Sequence, residues 1–390
     1  MPAVFRIKTN FQRRQITYKD ILTHNFLLDV CQKLTGQAQY EVEFDDAGYN
    51  KGRLAKLEYN GSVFYISFSE TEIASRNSFF QSFPSALIQY HLEPNHNKGI
   101  YFYFLPPDRA SIETNYHVFM YRLMKSVGTI FLNETTYLRQ IHQPFNSISD
   151  IITNRDTNRR RNSGNASTYA AINETNTLQV FGKTYGANKY ETILLTLAFK
   201  RVSANPIEVY EIQDGNLRIL PEPARTIIID SGIQVFTSDV VLERNEFESN
   251  DSLRSPTYLY NLLDKLGAKK CSLCDCDIPQ IIQGAHVWPV ASIKRANEIN
   301  HEMKIHHATN RDNGLWLCNN HHKLFDINLL YISTDGRIRY KTNIEDTHEA
   351  YLKRNTIFST ISANILTENF IEYLNKRNSL LEVEEYSYVA

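Results

Sequence analysis

The chain has 390 residues, 42% hydrophobic and 22% charged, with 42 Lys+Arg against 43 Asp+Glu. That length holds two or three domains with their own cores, and the composition excludes wholesale disorder. A net charge of -1 argues against a protein that coats nucleic acid without selectivity, but leaves room for a local basic surface. No apolar run approaches the ~18 to 20 residues of a membrane span. The opening MPAVFRIKTNFQRR lacks a stretch of signal-peptide length, so a cytoplasmic location is expected.

Residues 1–145 are expected to form a mixed α/β unit. GRLAKLEYNGSVFYISFSE reads as two strands about an Asn60-Gly61 turn, and IYFYFLP, from Ile100, as a strand stopped by Pro106-Pro107. In NYHVFMYRLMKSVGTIFLN, Val118, Met120, Leu123 and Met124 recur at helical spacing, so a helix running into a strand is expected. Residues 146–178 turn polar, rich in Asn, Thr and Ser, and contain Arg159-Arg160-Arg161. They read as a linker, or as a loop that orders on a phosphate backbone. Residues 179–250 read as a second α/β unit, with an apolar helix over 189–201 and a hairpin turning at Asp214-Gly215. Its glycines match no phosphate-binding loop. Glu211 lies on a strand, but Gln213 stands where a carboxylate nuclease core would need Lys, which discounts that reading. ERNEFESNDSLRSP marks the clearest boundary, and the last unit runs over 251–390. It opens on a helix capped by Ser255, with Pro256 in its first turn and Gly267 near its end.

Of five cysteines, Cys271, Cys274, Cys276 and Cys318 are clustered. A disulfide scaffold needs a short, cysteine-dense, secreted chain, so a metal site is the better reading. Cys271-x2-Cys274 and the distant Cys318-x2-His321 have the spacing of a four-ligand structural zinc site, with Cys276 competing for the place of Cys274. Neighbours on a helix differ by about 100° around the axis. His321 can share a face with Cys318, and His322 must point elsewhere, free for a second site. GAHVWPV places His286 on a short strand, DNGLWLC starts another at Asn313, and a helix carrying His322 follows. His301, His306 and His307 fall on the polar loop between the strands and are expected to be exposed.

C-x2-C, AHVWP, DNGLWLC and HHKLFD, in this order, resemble the HNH endonuclease family over about residues 255–340. The resemblance implies an α+β protein: a zinc-stapled ββα-metal nuclease domain behind a larger mixed α/β region. It also implies roles. His286 would be the general base, Asn313 would hold the loop or orient that base, and His322 would ligate a catalytic Mg²⁺ or Mn²⁺. One departure stands out, because many relatives carry an Asp ligand where this chain has Ala285; Asp312 is a candidate replacement. Phe325 and Asp326 read as packing and capping residues. Such domains read little sequence alone, so residues 1–250 are expected to recognise double-stranded DNA. The leading expectation is a type II restriction endonuclease acting as a homodimer on a palindrome. Arg155, Arg159, Arg160, Arg161, Lys294, Arg295 and Lys323 are candidate DNA contacts, with Lys304 and Arg311 near the site. The alternatives are a nuclease dependent on modified bases and an inactive zinc-stapled DNA-binding protein.

Overall fold

A computed structural model describes residues 2–7, 18–44, 54–70, 83, 86–93, 96–105, 114–133, 143–157, 168–182, 191–212, 220, 222–238 and 255–389. The first named elements are β1 (Ala3–Ile7), α1 (Tyr18–Ile21), α2 (His24–Thr35), β2 (Tyr40–Phe44), β3 (Leu54–Tyr59), β4 (Ser62–Glu70) and β5 (His96–Leu105). Next come α3 (Thr114–Ser126), β6 (Thr129–Phe131), α4 (Ile148–Thr157), β7 (Thr168–Ile172), β8 (Leu178–Gly182) and α5 (Glu191–Val202). They are followed by β9 (Ile207–Ile212), α6 (Glu222–Asp230), β10 (Gln234–Ser238), α7 (Pro256–Leu266), β11 (Ile282–His286), α8 (Val290–Arg295) and α9 (His301–Thr309). The last are β12 (Gly314–Cys318), α10 (Asn319–Asp326), β13 (Leu330–Ile332), β14 (Ile338–Lys341), α11 (Asp346–Asn355), α12 (Glu368–Asn378) and β15 (Tyr386–Tyr388).

The chain divides into two compact units. The first takes residues 1–168, 183–204 and 218–235; the second takes 169–182, 205–217 and 236–390. The chain therefore passes between units several times, unlike the sequential blocks expected from composition. Contacts between segments distant in sequence decide this, and local polarity does not record them.

The first unit holds a six-stranded mixed sheet, in the order β2-β1-β3-β4-β5-β6. The expected β3–β4 hairpin is present, with Asn60 (φ 48) and Gly61 (φ 75) in the left-handed conformations that a two-residue turn demands. Ala3, Phe5 and Ile7 alternate into the core, where Leu27, Val30 and Cys31 of α2 meet them. The stretch expected to be a linker contains a helix and a strand instead. Ser147 caps α4 through the Asp150 N–H, and Ile151 is fully buried. On the same helix Arg155 is buried against Glu191, at 2.8 Å. That corrects its reading as a DNA contact, since its guanidinium is already neutralised inside the unit. Arg159, Arg160 and Arg161 lie outside the described residues, as do the Asp214-Gly215 turn and the 243–254 part of the expected boundary.

A four-stranded sheet, β10-β9-β8-β7, joins the second unit, with β8 and β9 parallel. In the same unit β11 and β12 pair antiparallel, with His286 opposite Gly314 and Ile282 opposite Cys318. Helix α10 leaves β12 directly, giving the expected ββα order. The polar loop expected between the strands carries two helices, α8 and α9, the second capped by Asn300. Helix α7 begins as expected: the Ser255 hydroxyl accepts from the N–H groups of Thr257 and Tyr258.

Two glycines allow α7 to lie close on the β11–β12 pair. A Cβ at Gly284 would sit 2.6 Å from Leu262, and one at Gly314 would sit 2.3 Å from the Tyr258 hydroxyl. Both neighbours are themselves buried, so neither can yield freely. Gly314→Ala is expected to cost about 1 to 3 kcal/mol of stability through overpacking, read by denaturant melts. Wild-type stability in that variant would overturn the close-approach argument.

Candidate active site and metal centre

The ligand atoms of Cys271, Cys274, Cys318 and His321 all lie within 4.8 Å of one another, and all four residues are buried. The Sγ atoms of Cys274 and Cys318 are 3.9 Å apart. His321 Nδ1 lies 3.5 Å from Cys271 Sγ and 3.2 Å from Cys318 Sγ. Tetrahedral zinc, with bonds of about 2.3 Å to sulfur and about 2.0 Å to nitrogen, separates its ligands by roughly 3.5 to 3.8 Å. The donor set and its spacing therefore fit zinc. The other imidazole nitrogen, Nε2, lies 3.3 Å from the Thr356 hydroxyl, leaving Nδ1 for the metal. The competing residue, Cys276, is outside the group and serves by its backbone: its carbonyl accepts the Cys271 N–H at 2.9 Å, closing the knuckle. The cluster sits at the Ile282–Cys318 end of the strand pair.

At the other end is His286. Its ring stacks on Tyr258, with centroids 4.0 Å apart and planes 11° from parallel. Its Nε2 lies 2.8 Å from the Ala308 carbonyl. A carbonyl only accepts, so Nε2 carries the proton and Nδ1 presents a lone pair. Burial pushes the His286 pKa down to about 4, against a smaller upward pull from the Ala308 carbonyl, so the ring is neutral near pH 7. His286 and His322 line one cleft of about 290 Å³, together with Glu174, Gln179, Tyr258, Lys269 and Gln283. Lys269 reaches the Ile172 carbonyl at 3.1 Å, and burial lowers its pKa to about 8.

His322 touches two groups. Its Nδ1 is 3.0 Å from Gln283 Oε1, and its Nε2 is 3.5 Å from Asp326 Oδ2, one turn along α10. An imidazole nitrogen and a carboxylate oxygen that close suit one hard divalent cation, with waters and phosphate oxygens completing its shell. Residues 271–333 match the HNH endonuclease family. No curated protein matches the chain. The described C-terminal part is thus an HNH domain with a Cys3His group able to staple zinc, and no helix among the described residues is long and apolar enough to cross a membrane.

Within the HNH domain, the side-chain hydrogen bonds of Asn313 all go to backbone. It is fully buried. Its Oδ1 accepts the Trp288 N–H at 2.7 Å, and its Nδ2 donates to the carbonyls of Trp288 (3.1 Å) and His307 (3.0 Å). It pins the backbone just beyond His286 and makes no side-chain bond to that ring. Ala285 faces the core on β11, so no ligand could project from it into the cleft. Asp312 is not its replacement. It is bound by Lys265 at 2.7 Å and Thr367 at 2.8 Å, and does not line the cleft. Burial pushes its carboxyl pKa up, but these hydrogen bonds outweigh that and hold it below the usual range. The side chains of Lys265 and Asp312 are only 9% and 12% exposed. Asp312→Ala would strand the Lys265 ammonium, and a loss of about 3 to 5 kcal/mol in chemical unfolding is expected. A loss below about 1 kcal/mol would show that water solvates the pair instead.

Lys294, Arg295 and Lys323 do not line the cleft; Arg295 and Lys323 are exposed. Arg311 pairs with Asp264 at 3.0 Å, and Lys304 donates to the Lys294 carbonyl. His307 packs on Trp288 and Tyr373, with Nδ1 2.9 Å from the tyrosine hydroxyl, where exposure was expected. Asp326, Tyr258, Lys269, Gln283 and Glu174 join the site without having been legible as site residues. Tyr258 looks like an ordinary core position of a helix. Glu174 lies in the stretch that reads as a linker.

Proposed function

We propose that this chain is a metal-dependent endonuclease that hydrolyses phosphodiester bonds in double-stranded DNA, with the first unit and its arginine-rich segment selecting the target. One observation carries the reading: His286, with its Nε2 bound to the Ala308 carbonyl so that Nδ1 keeps a lone pair, lines the same cleft as His322, which stands beside Asp326. His286 Nδ1 takes the proton as the water oxygen bonds to phosphorus, and the P–O bond to the leaving group breaks. Nε2–H stays on the Ala308 carbonyl, holding the tautomer, while the Tyr258 ring keeps the imidazole in plane. Lys269 is placed to meet phosphate charge from the cleft wall. His322 and Asp326 would hold Mg²⁺ or Mn²⁺, which when bound stabilises charge on the phosphate and leaving oxygens. Cys271, Cys274, Cys318 and His321 would hold structural zinc.

Such a base and cation site cuts one strand per chain, so a duplex break needs two copies. That supports a homodimeric restriction-type nuclease. The test is digestion of methylated and unmethylated plasmids in Mg²⁺ and in Mn²⁺, with the ends mapped by run-off sequencing. Discrete ends on unmodified DNA support site-specific restriction. Cutting confined to modified DNA replaces it with modification dependence, and no cutting on any DNA or RNA removes the nuclease reading.

A further inference from the structure

The turn between β7 and β8 lies 97 residues before the first HNH cysteine, yet its Glu174 lines the same cleft as His286 and His322. This turn is braced. The Asn173 side chain accepts from the N–H groups of Thr175 (3.0 Å) and Thr177 (2.8 Å), and Lys269 ties down the Ile172 carbonyl before it. From it the Glu174 carboxylate accepts from Gln283 Nε2 at 2.5 Å, and Asn319 Oδ1 accepts from the same nitrogen at 2.9 Å. A carboxylate offers no proton at neutral pH, so the Gln283 amide has only one orientation open to it. Its nitrogen faces Glu174 and its oxygen faces His322 Nδ1 at 3.0 Å. That oxygen can only accept. His322 must then carry its proton on Nδ1 and present the Nε2 lone pair, which is the atom beside Asp326.

We infer that Glu174 and Gln283 form a positioning arm, anchored by Glu174 from outside the HNH segment, which sets the tautomer and ring orientation of His322 for cation binding. This rests on the cation site assigned above. Glu174 acts here through Gln283 and not as a ligand itself, which yields a specific expectation. A glutamine at 174 can still turn its carbonyl oxygen toward Gln283 Nε2, which Asn319 Oδ1 also holds facing that way, so Glu174→Gln should recover what Glu174→Ala loses.

The experiment uses the full-length, zinc-loaded protein. Mn²⁺ binding is followed by EPR of free Mn²⁺, and the His322 tautomer by long-range ¹H–¹⁵N NMR of labelled histidine, assigned with His322→Gln. Glu174→Ala and Gln283→Leu should each weaken Mn²⁺ binding by about 10- to 100-fold, as loss of an outer-shell partner typically does. Both should also erode the Nδ1–H form, and Glu174→Gln should stay within about threefold of wild type. Gln283→Leu probes the same contact from the strand side should Glu174→Ala disturb its turn. Wild-type behaviour in both loss variants overturns the inference, as does Glu174→Gln falling as far as Glu174→Ala, which would make Glu174 a direct ligand. Mn²⁺ binding that depends on His322 but ignores Glu174 and Gln283 sinks the arm alone. Wild-type protein with no His322-dependent Mn²⁺ binding would instead sink the functional reading.

Discussion

Stripping zinc from this protein is expected to unfold the HNH domain rather than merely slow it. Cys271, Leu273, Cys274, Trp316 and Cys318 belong to one continuous core that also includes α7 and the C-terminal elements. The knuckle before β11 and the end of β12 meet there through the four metal-capable side chains, with a backbone bond from Ser272 N–H to the Trp316 carbonyl beside them. Without metal, three thiols and an imidazole would be packed together with little to hold them. Structural zinc contributes about 10 to 16 kcal/mol of apparent binding energy in small domains, comparable to or above the whole stability of a typical domain. The two tryptophans, Trp288 and Trp316, are both buried in this unit, so tryptophan emission reports on it selectively. A strong chelator, or Cys318→Ser, should shift that emission to the red and abolish the unit's cooperative melt. An apo protein that melts like the zinc form, with unchanged emission, would sink the staple.

His286→Ala should lower phosphodiester cleavage by about 10² to 10⁴-fold, the usual contribution of a positioned general base. Zinc content and Mn²⁺ binding should change little, while loss of the stack on Tyr258 and of one hydrogen bond should lower stability by only about 1 to 3 kcal/mol, too little to account for the lost rate. Asn313→Ala should behave differently. It removes the side-chain partner of three backbone groups, the Trp288 N–H and the Trp288 and His307 carbonyls, at about 1 to 3 kcal/mol each, so stability and activity fall together. The pH profile separates chemistry from packing. The His286 pKa is depressed from 6.5 to about 4, so the base is available throughout that interval and is lost only as pH falls through about 4. The acid limb of cleavage by wild-type protein should therefore lie well below 6.5. A limb near 6.5 would mean that the working base is a solvated histidine elsewhere. Equal cleavage by His286→Ala and wild type would remove His286 from the chemistry altogether.

The HNH domain was legible because its chemistry is written in short-range spacing. Cys318 and His321 share a helix face, so His322 had to look elsewhere, and the structure turns it toward a different cleft. The Ser255 cap and the Asn60-Gly61 turn were equally local, since each satisfies its own neighbouring backbone groups or φ requirements. Asn313 was singled out from its motif, and its three bonds to backbone make a latch, which spacing cannot distinguish from orienting a base. Arg155 and Asp312 misled for a common reason. Both are charged residues in suggestive positions, and both are satisfied by partners far away in sequence, Glu191 and Lys265.

The sequence by itself picked out the four residues that could hold a metal and the ββα order, and it singled out His286 and His322, because ligand spacing and helix periodicity act over a few residues. Only the tertiary structure decided which nitrogen of His286 is free, that Asp326 stands beside His322, and that Glu174 reaches the cleft through Gln283. Those facts depend on hydrogen-bond partners and strand neighbours brought together from as far as 109 residues apart. No local pattern encodes them.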